Sequence, residues 1–135
     1  MKSHALLALA ICCFACSESD KECTQAGCLD GVQFSFSTPP DASDVSLILQ
    51  FDGRELRCDA KKNGSDGCRD AGVWVQWNAG KLDGFYLFSH PEQVTLSVSV
   101  AGVVLVSKTV TPTYEVMQPN GPDCPPTCRS GLIYL

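Results

Sequence analysis

The chain has little of what most functional classes require. It has no basic excess: 10 Lys and Arg stand against 15 Asp and Glu, a net charge of −5. Nucleic acid is therefore excluded as a partner, because no basic surface is present to displace counterions from a phosphate backbone. It has 2 histidines, His4 and His90, which leaves general acid–base chemistry poorly supplied, and no G-x-S-x-G nucleophile elbow occurs. No window carries a helical stripe. The apolar run Ala5–Ala15 is too short to span a bilayer, which takes about 20 residues.

Cysteine is abundant instead. The 135 residues hold 9 cysteines, a density expected of an exported chain with a disulfide framework. Lys2 followed by Ala5–Ala15 has the charged start and apolar core of a signal peptide, so residues 1–15 are set aside from the fold. The stretch Cys13-Phe14-Ala15-Cys16-Ser17 resembles a bacterial lipoprotein signal, in which a cysteine after a small residue is lipidated and becomes the new N-terminus. Cys16 is the lipidation candidate, although Cys13 stands where such signals usually carry Leu. The alternative is plain secretion. Parity favours the lipoprotein: once Cys12 and Cys13 leave and Cys16 carries lipid, Cys23, Cys28, Cys58, Cys68, Cys124 and Cys128 form an even set. Ser17 after the anchor implies the outer membrane in a Gram-negative cell.

Residues 16–31 read as a short polar tether and 32–135 as one β-domain. Val32, Phe34 and Phe36 alternate with polar residues, as do Val94, Leu96, Val98 and Val100, and Val45, Leu47, Leu49 and Phe51 share one face of a strand. Asp52-Gly53 between two extended runs is a hairpin signal, since both central residues must accept positive φ. Further strands are expected at 73–77, 84–88, 103–110, 113–117 and 131–135. Short strands at this spacing indicate an all-β, antiparallel sandwich of Ig-like or transthyretin-like kind, with a barrel as the alternative.

Cys58 and Cys68 bracket a tight reversal and are expected to pair. Cys23 and Cys28 then pair with Cys124 and Cys128. The order is Cys23–Cys124 with Cys28–Cys128 if the first and last strands run parallel, and crossed otherwise. A zinc or redox reading of Cys124 and Cys128 fails on spacing: three residues part them, two of them Pro, so no helix runs through. The Asn63-Gly64-Ser65-Asp66-Gly67 turn lacks the alternating ligands and closing Glu of a calcium loop. No metal and no cofactor is expected.

The ending, Pro119-Asn120-Gly121-Pro122-Asp123-Cys124-Pro125-Pro126-Thr127-Cys128-Arg129, resembles the close of a group of small Gram-negative lipoproteins that share P-N-G-P-x-C-x-P-x-C-R, an early cysteine pair and a β-rich middle. That group has no established activity, so the resemblance implies location and architecture and no catalytic residue. An enzyme is not expected. His90 reads as a solvated loop residue. In 73–77 one tryptophan belongs to the core, and the other, Trp74 with Tyr86, is a candidate ligand platform beside Asn63 and Asp66; the simpler expectation is that loops bury both. The function read from the sequence is a lipid-anchored cell-envelope module, structural or protein-binding. A carbohydrate- or small-ligand-binding module is the alternative, so the partners are the membrane and an envelope protein or glycan.

Overall fold

A computed structural model describes residues 23–135. The signal segment 1–15 and the lipidation candidate Cys16 lie outside the described residues. The strands are β1 (Gly31–Ser35), β2 (Asp44–Phe51), β3 (Arg54–Lys61), β4 (Val73–Asn78), β5 (Lys81–Leu87), β6 (Val94–Val100), β7 (Val103–Val110), β8 (Tyr114–Met117) and β9 (Cys128–Tyr134), with one 3-10 turn at Arg69–Ala71. They form a five-stranded sheet, β4-β5-β1-β9-β8, and a four-stranded sheet, β3-β2-β6-β7.

One buried cluster draws on both sheets, which makes the fold a sandwich. Val32, Phe34, Val73, Val75, Phe85 and Leu87 come from the first sheet and meet Val45, Leu47, Leu49, Leu96 and Val98 from the second. Period-two alternation is the cause: each strand sends every other side chain inward. Phe34 and Phe85 stack at the centre with ring centroids 4.7 Å apart.

The turns follow from local chemistry. Asp52 (φ 50°) and Gly53 (φ 71°) close the β2–β3 hairpin with both central residues left-handed, as that dipeptide favours. Ala79 and Gly80 do the same between β4 and β5, at φ 46° and 87°. That second hairpin begins β5 at Lys81, paired with Asn78, three residues before the start at Gly84 expected from the sequence.

The sandwich is not wholly antiparallel. β1 and β9, the first and last strands, pair in parallel from Gly31↔Ser130 to Ser35↔Tyr134. Both strands thus begin at one end of the molecule, which brings the cysteines that precede them side by side. The bridges are Cys23–Cys124, Cys28–Cys128 and Cys58–Cys68, with Cα separations of 5.6, 6.1 and 4.9 Å. All six cysteines are therefore unavailable as thiolate ligands. Three bridges are consistent with an extracytoplasmic protein.

Candidate functional site

Two places concentrate polar chemistry: a latch joining residues 23–30 to the C-terminal segment, and a cleft at the free edge of β4.

The latch is built around the proline-rich ending. The Asn120 side chain does most of the bonding. Its Oδ1 accepts the Ala26 N–H at 3.0 Å and the Thr24 hydroxyl, and its Nδ2 donates to the carbonyls of Ala26 (3.0 Å) and Pro125 (2.6 Å). Gly121 turns the chain at φ 87°, and its N–H donates to the Gln118 carbonyl. The Pro125-Pro126 peptide is cis. Residues 23–30 are thus fastened along their length to the C-terminal segment.

Beyond Cys28 the latch continues through charged groups. Asp30 Oδ1 accepts the Arg129 N–H at 2.7 Å and lies 3.0 Å from His90 Nε2, which is also 3.0 Å from the Arg129 carbonyl. Both neighbours of that nitrogen are acceptors, so it carries the proton and donates to them. The Arg129 guanidinium lies over the Tyr114 ring, 5.3 Å from its centroid, and the His90 ring meets the same tyrosine edge-on at 5.4 Å. The Tyr114 hydroxyl donates to the Pro91 carbonyl at 2.9 Å. His90 is accordingly no solvated loop residue: its side chain is 25% exposed and spans two segments remote in sequence.

Electrostatics follow these contacts. The Arg129 N–H, and after it the His90 ring, hold the Asp30 carboxyl below its ordinary range. Burial pushes Tyr114 up to about 12, with Arg129 opposing.

The cleft lies where β4, an edge strand, meets the loop that follows β3. Lys61, Lys62, Asp66, Arg69, Trp74 and Trp77 line it, enclosing roughly 320 Å³. Trp74, 39% exposed, projects on the side away from the core, whereas Trp77 packs against the core cluster. The loop is tied down at several points. The Cys58–Cys68 bridge closes its base. Lys61 N–H donates to the Ser65 carbonyl and Gly67 N–H to the Asp59 carbonyl, and Asp66 Oδ1 accepts the N–H groups of Cys68 and Arg69.

The four residues singled out from the sequence as ligand contacts fare differently. Trp74 and Asp66 share the cleft. Asn63 lines a neighbouring hollow of roughly 540 Å³ with Lys61, Lys62 and Gly80. Tyr86 does not line the cleft: it is the cross-strand neighbour of Trp74 but only 1% exposed, with Phe88 against its ring at 5.0 Å. Its hydroxyl is buried without a hydrogen-bond partner. Burial raises its pKa, with the nearby Ser130 hydroxyl opposing short of hydrogen-bond geometry. The sequence offered the 58–68 loop as a contact without singling out Lys61 or Lys62 in it, and Arg69 was missed; a run of cations beside a disulfide-closed turn in an acidic chain was the available signal.

A larger hollow, about 580 Å³, adjoins the Asp52-Gly53 turn. Several of its lining groups are engaged with their neighbours. Glu55 accepts from Gln50 at 2.7 Å and from Arg57, which together hold its carboxyl below the ordinary range. Arg54 covers the Phe51 ring at 4.4 Å.

No protein family, curated protein or solved structure matches this chain.

Proposed function

We propose that this chain is an exported lipoprotein of the cell envelope, anchored at Cys16 in the outer membrane, and that it works as a protein-interaction module, not as an enzyme. The observation that carries the interaction reading is β7. It is the end strand of its sheet, eight residues long, and its apolar side chains Val103, Val104 and Leu105 are 62, 57 and 43% exposed. An edge strand offers a row of unpaired N–H and C=O groups, and exposed apolar residues on it suit a further strand from a partner. The one charge on β7, Lys108, is engaged elsewhere: its ammonium donates to the Tyr134 carbonyl at 3.1 Å.

Anchoring has separate support in the lipoprotein-like signal, the even cysteine set and the shared P-N-G-P-x-C-x-P-x-C-R ending. On this reading the latch holds the anchored end of the chain firmly against the domain.

A photocrosslinking residue at Val104 tests the interaction. In intact envelopes it is expected to trap a second protein, whereas the same probe at Thr38 should not. Equal or absent capture at the two sites would contradict the reading. Cys16→Ser is expected to abolish fatty-acid labelling and membrane fractionation.

A ligand-binding module is the second reading, favoured by the preformed cleft beside Trp74.

A further inference from the structure

The cleft at the edge of β4 has a charge balance opposite to that of the whole molecule. Against a net charge of −5, its lining carries three cations, Lys61, Lys62 and Arg69, and one carboxylate, Asp66. That carboxylate is committed to the loop's own backbone through the N–H groups of Cys68 and Arg69. Arg69 stands 3.9 Å from it, a loose contact. Among the described residues neither Lys61 nor Lys62 has an ion-pair partner. The Lys62 ammonium rests over the Gly80 turn, where a Cβ would come within 2.9 Å of it.

Two lysines held without carboxylate partners, beside an arginine only loosely paired, mark a place for an anion. The aromatic residues narrow the class. Trp74 and Trp77 flank the same space, and an indole ring offers an apolar face against which the C–H face of a sugar ring packs. A bare anion has no use for such a face, and a neutral sugar has none for the cations. The volume, roughly 320 Å³, lies at the lower end for small-ligand sites, which are typically preformed. The bridged loop meets that requirement, since little ordering is left to be done on binding.

We infer that this cleft binds an acidic saccharide, its ring stacked on Trp74 and its carboxylate or sulfate held by Lys61, Lys62 and Arg69. The inference rests on the ligand-binding reading above and is independent of the lipid anchor.

Intrinsic fluorescence tests it without a label, because the only 2 tryptophans of the chain both line the cleft. The full chain in mild detergent is titrated with tetragalacturonic acid, with neutral cellotetraose, and with sodium sulfate at matched charge. The acidic oligomer is expected to change the emission saturably, and to bind several-fold more weakly when salt is raised to shorten the screening length. Trp74→Ala should weaken it about fivefold to tenfold, the value of one aromatic contact. Lys61→Ala with Arg69→Ala, which leaves Lys62 alone in place, should cut the salt dependence severalfold while the far-ultraviolet dichroism stays unchanged. Equal binding of cellotetraose would overturn the acidic assignment and leave a ligand cleft standing. Sulfate alone matching the oligomer would overturn the saccharide. No response to any of the three would overturn both the inference and the ligand-binding reading.

Discussion

The Asp30 carboxylate accepts the backbone N–H of Arg129 at 2.7 Å, tying the residue that enters β1 to the second residue of β9. The contact holds the Asp30 pKa below its ordinary value of 3.8. A carboxyl depressed in the folded state stabilises above its unfolded pKa and loses that contribution as pH falls through the folded value. The wild-type chain should therefore lose stability on acidification below about pH 4. Asp30→Asn should be less stable at neutral pH and lose less on the same acidification. Urea midpoints at pH 7 and pH 3 measure both, and parallel losses would show that Asp30 contributes nothing.

The two latch bridges are expected to be non-additive. Cys23–Cys124 and Cys28–Cys128 close chain loops of 101 and 100 residues, nearly the same loop twice. With one present, the other closes only the small ring between them. Removing either alone should cost about 2–3 kcal/mol, and removing both should cost more than the sum, on the chain-entropy estimate. Urea unfolding of the two double-serine variants and of the quadruple-serine variant reads this directly.

Asn120 should matter more than its surface position suggests. Its amide makes four hydrogen bonds that hold residues 24–26 and Pro125 together. Asn120→Ala should cost about 1–2 kcal/mol, since several backbone groups lose a partner at once. Asn120→Asp keeps the acceptor but sets a carboxylate against the Ala26 and Pro125 carbonyls, so it should be no better. Thermal melts of both variants are the check, and a fully tolerated Asp would contradict the donor role.

Much of this fold was legible in the residues, and the reason is the period of two. Val32/Phe34 and Val94/Leu96/Val98 alternate because each strand has one face in the core, and Asp52-Gly53 announces its turn by needing two left-handed residues. The Ala79-Gly80 hairpin was missed because alanine rarely takes that backbone, and pairing across β4 and β5 imposes it. His90 could not be placed, since its partners Asp30 and Arg129 lie 60 and 39 residues away. Tyr86 was offered from the sequence as half of an exposed platform, with burial as the simpler expectation, and burial is what the structure has. Phe88 packed against it, with the surrounding fold, leaves it 1% exposed.

Glycine at position 84 is required by close approach of two backbones. A Cβ there would collide with the Phe34 carbonyl oxygen of the neighbouring strand, and Phe34 is fully buried. Gly84→Ala should destabilise by more than about 2 kcal/mol, because backbone, not a flexible side chain, must shift. Gly27 has nothing within 4 Å, so Gly27→Ala should stay within about 0.5 kcal/mol of wild type. Calorimetry on the pair distinguishes a steric effect from a general intolerance.

The most direct test of an envelope lipoprotein latched at both ends is the intact mass of the protein recovered from membranes, taken before and after reduction. A chain beginning at Cys16 with added acyl mass, and gaining six hydrogens for its three bridges, is the expected result. An unacylated chain starting elsewhere, or a gain of fewer than six hydrogens, would contradict it.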